Sequence, residues 1–267
     1  MDRNKRFVGK IAVITGGASG LGKCSAATLA KDGAVACIFD LDTVKGPETV
    51  KEIEAAGGKA VFYKCDITRE AEVKSAFEAV IAKHGKLDLL HANAGIIDVP
   101  RYIHEMTFEQ WYKVLDINLN GMWLAAKYAI TQMLKQDGGA IVFTGSNWAY
   151  VCDPGFTSYA ASKAAVVNLG RNLALDYAKD NIRVNVVCPG NIMTPLLERQ
   201  LSTEPDPEAT LEAMGQISQP QEIANLVAFL LSDEASAMKG SAVTIDQGET
   251  LGYRPGLRVT RKSCEVD

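Results

Sequence analysis

The stretch Ile11-Ala12-Val13-Ile14-Thr15-Gly16-Gly17-Ala18-Ser19-Gly20-Leu21-Gly22 decides the fold. Four consecutive apolar residues lead through a glycine-rich turn into a segment with helical spacing. A buried strand feeding a helix through such a turn is what a dinucleotide pyrophosphate requires. Glycine lets the backbone approach the phosphates, and the first helical turn offers free N–H groups and partial positive charge. The next apolar run, Val35-Ala36-Cys37-Ile38-Phe39, ends on the carboxylate Asp40, 18 positions after Gly22. An acid at an offset of roughly 20 residues binds the adenosine ribose hydroxyls. The unit therefore reads as nucleotide-binding, with NAD the expected cofactor.

Outward from this unit, strand-like and helix-like segments alternate along the chain. Short apolar runs at 11–15, 35–39, 60–64, 88–91, 140–144, 183–187 and 242–245 have the continuous character of parallel strands buried on both faces. Periodic stretches lie between them at 20–31, 44–56, 70–83, 107–135, 158–178 and 221–232. The expected fold is α/β, a Rossmann-type doubly wound parallel sheet of about seven strands with helices on both faces. A single domain is expected over 1–252, with a C-terminal tail at 253–267. Pro220 sits where a helix's first turn needs no N–H. The irregular, proline-bearing stretch at about 190–218 follows the sixth strand, so it is expected to form a mobile substrate lid over the carboxyl edge of the sheet.

A length of 267 residues is ample for one large core. The net charge of −4 argues against a nucleic-acid or anionic-membrane partner. No apolar run reaches the roughly 18 residues of a membrane span, and no secretory apolar region follows the basic start. Cys24, Cys37, Cys65, Cys152, Cys188 and Cys264 are scattered without a Cys-x-x-Cys pair. They are expected to be reduced thiols in a cytoplasmic protein.

Tyr159 and Lys163 stand four apart at the start of a helical segment, so both project from one face. A phenol with a reference pKa of about 10 is a weak base at neutral pH, and a nearby ammonium is expected to lower it. Ser146, just past the strand at 140–144, can reach the same cleft. Thr15-Gly16-x-x-x-Gly20-x-Gly22, Asn93-Ala94-Gly95, Asn118, Ser146, Tyr159-x-x-x-Lys163 and Pro189-Gly190 occur in this order. In order and spacing the set resembles the classical short-chain dehydrogenase/reductase family over residues 7–248.

The resemblance implies an oxidoreductase that interconverts a secondary alcohol and a ketone. Tyr159 would be the general acid/base. Lys163 would lower its pKa and bind the nicotinamide ribose, and Ser146 would hold the substrate oxygen. Asn118 would hold a water in a proton relay. Gly16, Ser19, Gly20, Leu21 and Gly22 would line the pyrophosphate, Asp66 would meet the adenine, and Asn93 the adenosine ribose. Ile192 and Thr194 would hold the nicotinamide carboxamide, with Ile67, Gly95 and Pro189 completing the cofactor set. NADP-binding members of the family usually carry Arg or Lys near positions 19 and 41, which here are Ser19 and Leu41. Two departures stand out: Ala92 replaces the first asparagine of Asn-Asn-Ala-Gly, and the usual final Asp-Gly-Gly reads Asp246-Gln247-Gly248. No metal is implied, because the cofactor supplies the hydride.

The substrate pocket is expected from Ile97, Asn147, Trp148, Tyr150, Val151, Phe156, Met193, Leu196 and Leu197. This apolar and aromatic set suits a bulky alcohol, with a hydroxysteroid or bile acid as the leading candidate. A polyol or another alicyclic alcohol is the alternative. An NADPH-dependent reductase of carrier-protein thioesters is opposed by Asp40. A non-catalytic NAD-sensing regulator is opposed by the joint presence of Tyr159 and Lys163. Family resemblance also implies a homotetramer or homodimer, packed through the helices at 107–135 and 158–178.

Overall fold

The computed structural model describes residues 5–252; the tail expected at 253–267, with Cys264, lies outside them. All seven strands form one parallel sheet: β1 (Ile11–Thr15), β2 (Val35–Asp40), β3 (Lys59–Lys64), β4 (Leu89–Ala92), β5 (Gly139–Thr144), β6 (Ile182–Pro189) and β7 (Ala242–Ile245). Their order is β3-β2-β1-β4-β5-β6-β7. The chain moves outward from β1 in one direction, then restarts beside it at β4, pairing Val13 with both Cys37 and Leu90. Ligands of doubly wound sheets bind outside the strand carboxyl ends at such a switch point.

Side chains alternate across a strand, so β1 feeds two cores. Ile11 and Val13 join Phe39, Phe77, Met122, Ala126, Phe143 and Val166 under α3 (Glu70–His84), α5 (Gly121–Met133) and α6 (Thr157–Asp176). Ala12 and Ile14 join Leu21, Leu29, Ile53, Ile223 and Val227 under α1 (Gly20–Lys31), α2 (Lys45–Ala55) and α9 (Pro220–Leu231). Each fully buried large side chain contributes about 1.5–3 kcal/mol by leaving water. The buried Arg183 of β6 donates to the carbonyls of Leu230, Leu231, Ser232 and Ala235, satisfying the end of α9. Among the described residues, no helix is long and apolar enough to cross a membrane.

Two expectations are corrected. The stretch 107–135 is not one regular helix: α4 (Phe108–Leu115) passes through a wide π turn, Asp116–Asn120, into α5. Gly121 explains the close approach after that turn, since a Cβ there would lie 2.5 Å from Ile67 Cδ1. The stretch 190–218 is not merely irregular: it holds α7 (Pro195–Leu201) and α8 (Pro207–Met214). Proline opens both helices, and the Asp206 carboxylate accepts from the Ala209 N–H at 3.0 Å.

Candidate active site

The β1–α1 turn is shaped by glycines with positive φ, +65° at Gly16 and +54° at Gly20. A Cβ on Gly16 would lie 2.8 Å from Ala94 Cα. Gly20 faces the start of α7, where Thr194 Cβ is 3.6 Å from its notional Cβ. Gly22, expected to line the pyrophosphate, is also needed for packing. A Cβ there would strike the Gly16 carbonyl oxygen, so its missing side chain lets the helix pack onto the turn. Asp40 closes the far wall, accepting from the Ala18 and Asp42 N–H groups at 3.0 Å each. Asp66 is held by Thr68, whose N–H and hydroxyl donate at 3.0 and 2.7 Å.

A polar ladder then crosses the strand ends. The Thr15 hydroxyl accepts from the N–H groups of Asn93 and Ala94 at 2.9 and 3.1 Å. Asn93 donates its side-chain amide to the Thr15 carbonyl at 3.2 Å and accepts from the Thr144 hydroxyl at 3.1 Å. Thr144 has one hydroxyl proton, so at 2.9 Å it must accept from His91 Nε2–H. Burial drives His91 down to about 3, leaving it neutral, and its Nδ1 has no partner among the described residues. The Thr144 carbonyl in turn receives Lys163 Nζ at 2.9 Å.

Ser146, Tyr159 and Lys163 line the same cleft as Gly16, Ser19, Gly20, Leu21, Asp40, Asp66, Ile67, Asn93 and Gly95, a continuous space of about 920 Å³. Pro189, Ile192 and Thr194 line it too. Lys163 Nζ stands 5.5 Å from the centre of the Tyr159 ring, which packs at right angles to Trp148 with ring centres 5.5 Å apart. The expected lowering of the tyrosine pKa is not found in the protein alone. Burial pushes Tyr159 up to about 12 against the opposing pull of the Ser146 hydroxyl. Burial also brings Lys163 down to about 8. The ammonium faces the Thr144 carbonyl rather than the phenol, and loss of hydration outweighs its field.

Asn118 sits inside the π turn, fully buried. Its amide brackets Ile96, accepting from the N–H at 2.8 Å and donating to the carbonyl at 2.9 Å, and it also donates to Ser162. The side chain therefore pins the loop after Gly95 and has no spare amide proton for another partner.

Of the expected substrate contacts, Ile97, Asn147, Trp148, Leu196 and Leu197 line the cleft. Tyr150, Val151, Phe156 and Met193 lie outside its wall. Tyr150 turns its hydroxyl toward Cys188, 4.0 Å away, and Phe156 packs on Trp148 with ring centres 4.9 Å apart. Lys45 and Arg199 line the cleft without having been expected there. Glu249 was also missed: its carboxylate accepts from Asn147 Nδ2 at 2.9 Å. The ladder did leave a sequence signal, the polar His91 within Leu-Leu-His-Ala, whereas Glu249 left none.

A family model described as Enoyl-(Acyl carrier protein) reductase matches residues 16–250. A crystal structure of a short-chain type dehydrogenase/reductase from Mycobacterium marinum superposes with a TM-score of 0.87 at 32% identity, covering 92% of this chain and 97% of that one. The chain belongs to the short-chain dehydrogenase/reductase family. Cyclohexanol dehydrogenase of Acinetobacter sp. is 36% identical to this family member, over 92% of this chain and 97% of the relative. Cis-4-hydroxycyclohexanecarboxylate dehydrogenase of Sinomonas cyclohexanicum is 38% identical over 91% and 98% of the two chains. The protein is thus an oxidoreductase, and its fold is that of its short-chain dehydrogenase/reductase relatives.

Proposed function

We propose that the protein is an NAD-dependent dehydrogenase that interconverts an alicyclic secondary alcohol and its ketone. The observation that carries this reading is the convergence of Ser146, Tyr159 and Lys163 on the cleft that also holds the glycine turn and Asp40. The positive-φ glycines leave a side-chain-free cradle of backbone at the start of α1, which fits a pyrophosphate. NAD rather than NADP is supported by Asp40, whose carboxylate suits two ribose hydroxyls and would repel a phosphate. When bound, the nicotinamide supplies the hydride chemistry.

In this reading Tyr159 accepts the alcohol proton during oxidation and donates it to the carbonyl oxygen during reduction. Ser146 holds that oxygen. Lys163 provides positive charge beside the phenol, and Asn118 acts by fixing the Ile96 loop that borders the site. Stretch 190–218, with α7 lining the cleft, serves as the lid. A single saturated ring is favoured over the hydroxysteroid or bile acid first considered. The cyclohexanol and hydroxycyclohexanecarboxylate relatives favour it. The five described cysteines are free, which agrees with a reducing, cytoplasmic setting. Exposed Phe108, Tyr112, Trp123 and Leu134 on α4–α5, with Leu175 on α6, support a homotetramer or homodimer packed through these helices.

The test is absorbance of the reduced nicotinamide while the purified protein meets NAD or NADP with cyclohexanol, a hydroxysteroid, a bile acid and a polyol. Turnover with NAD on cyclohexanol is the expected result. Turnover on polyols alone would reject the substrate class. Tight NAD binding with silence on every alcohol would favour the sensing regulator.

A further inference from the structure

Ser146 Oγ lies 3.3 Å from Asn147 Oδ1 and receives the Trp148 N–H at 3.2 Å. Asn147 Nδ2 lies 2.9 Å from Glu249 Oε2. Glu249 follows β7 and stands 102 positions from Asn147 in sequence, packed where a Cβ on Gly190 would meet its Oε2 at 3.1 Å. An ionised carboxylate only accepts hydrogen bonds, so it must take the NH2 end of the Asn147 amide. The amide oxygen is then turned to Ser146, and that contact holds only if Ser146 donates its single proton there. Accepting from Trp148 and donating to Asn147, Ser146 keeps one lone pair for the cleft, on the side where it also meets the Tyr159 hydroxyl. In this state it can accept from an alcohol but has no proton for a ketone.

Protonated Glu249 reverses the chain. Its O–H can donate to Asn147 Oδ1 once the amide turns over, which directs Nδ2–H at Ser146. Ser146 then accepts from both Trp148 and Asn147, and its own proton is released toward the cleft. We propose that Glu249 is a positioning residue that sets, through Asn147, whether Ser146 receives the substrate as an alcohol or as a ketone. The inference rests on Ser146 holding the substrate oxygen, as proposed above. Burial raises the Glu249 carboxyl above the usual carboxylate range. The charged groups facing it, Asp153 before α6 and Asp246 after β7, push the same way, and Asn147 pulls against them. The exchange thus falls nearer neutral pH than for a free glutamate.

The test compares two ligands of the enzyme–NAD complex that cannot react there: cyclohexanone, which oxidised nicotinamide cannot reduce, and a tertiary methylcyclohexanol that has no carbinol hydrogen to transfer. Inhibition constants are measured from roughly pH 5 to 6.5, where Lys163, titrating at about 8, keeps its proton. In the wild type the preference for alcohol over ketone should rise about threefold to tenfold with pH, the worth of one exchanged hydrogen bond. Glu249→Gln can present either end to Asn147, and Asn147→Ala cuts the chain, so the preference should be flat with pH in both. A flat wild type, or a wild-type slope surviving in either variant, would overturn the proposal. Ser146→Ala separates the two levels. If it keeps full turnover, the reading of Ser146 itself fails; if it is inactive while Glu249→Gln keeps the slope, only the role of Glu249 fails.

Discussion

The two ends of the cleft are built by opposite means. At the cofactor end, the turn between β1 and α1 presents backbone, and the glycines matter for what they lack: Gly16 clears Ala94, and Gly22 clears the Gly16 carbonyl. At the reacting end, backbone only supports side chains brought from separate elements: Thr144 from β5, Ser146 from the loop after it, Asn118 from the π turn, and Tyr159 with Lys163 from α6. The first construction depends on local geometry. The second depends on buried, hydrogen-bonded polar groups, whose cost falls on stability as well as on chemistry.

The contrast is broken most directly at Tyr159. Tyr159→Phe removes one hydroxyl from the reacting end and leaves the glycine turn untouched. Turnover should fall by about 10²–10⁴-fold, the range of a lost general acid/base. Dinucleotide affinity, read by quenching of protein fluorescence, should stay within a few-fold of the wild type. An equal loss of both would mean that the two ends do not act separately.

Lys163 tests the stability half of the argument. The lysine titrates near 10.5 in an unfolded chain and at about 8 when folded. Below about pH 8 both states hold the proton, and the folded state bears the whole cost of the buried ammonium. Between about 8 and 10.5 the unfolded state binds more protons, so stability rises with pH. The difference is worth about 3 kcal/mol, from which the lost bond to the Thr144 carbonyl subtracts about 1. Lys163→Met should therefore lose turnover yet melt about 4–8 °C higher at pH 7, with the gain fading toward pH 10. Calorimetry showing a lower melting temperature at pH 7 would overturn this.

What was legible in the sequence follows the same division. Strand, turn and Asp40 occupy one short window, and their spacing alone marked the nucleotide-binding unit. Tyr159 and Lys163 were readable because one helical turn links them. The π turn was hidden because the residues of 107–135 keep helical spacing through it, and an extra backbone unit leaves no compositional mark. Helices α7 and α8 are seven and eight residues long, too short for periodicity, although Thr194-Pro195 and Asp206-Pro207 are start signals. Aromatic residues after a strand mark a neighbourhood but not a direction, so Trp148 reached the cleft while Tyr150 and Phe156 did not. At Asp40, where the reading was local, a charge change gives a clean test. Asp40→Ser should weaken NADH binding about tenfold to a hundredfold and weaken NADPH binding less, or improve it. Parallel loss for both dinucleotides would show that Asp40 serves the fold instead.

The smallest effect should come from the ladder that joins the two ends. Thr144→Val keeps the volume but removes the proton given to Asn93 and the acceptor used by His91. His91 would then be buried with neither ring nitrogen bonded, since Nδ1 already has no partner. The expected loss is about 1–2 kcal/mol of stability, because an unsatisfied buried group costs more than a hydrogen bond contributes. Dinucleotide affinity should change by less than about threefold, as Asn93 still holds the Thr15 carbonyl. If the orphaned imidazole is the cause, His91→Leu in the Thr144→Val background should restore most of the melting temperature, making the pair less damaging than the sum of its parts. Strict additivity would instead place the cost at Asn93, and the ladder would be a prop for the glycine turn alone.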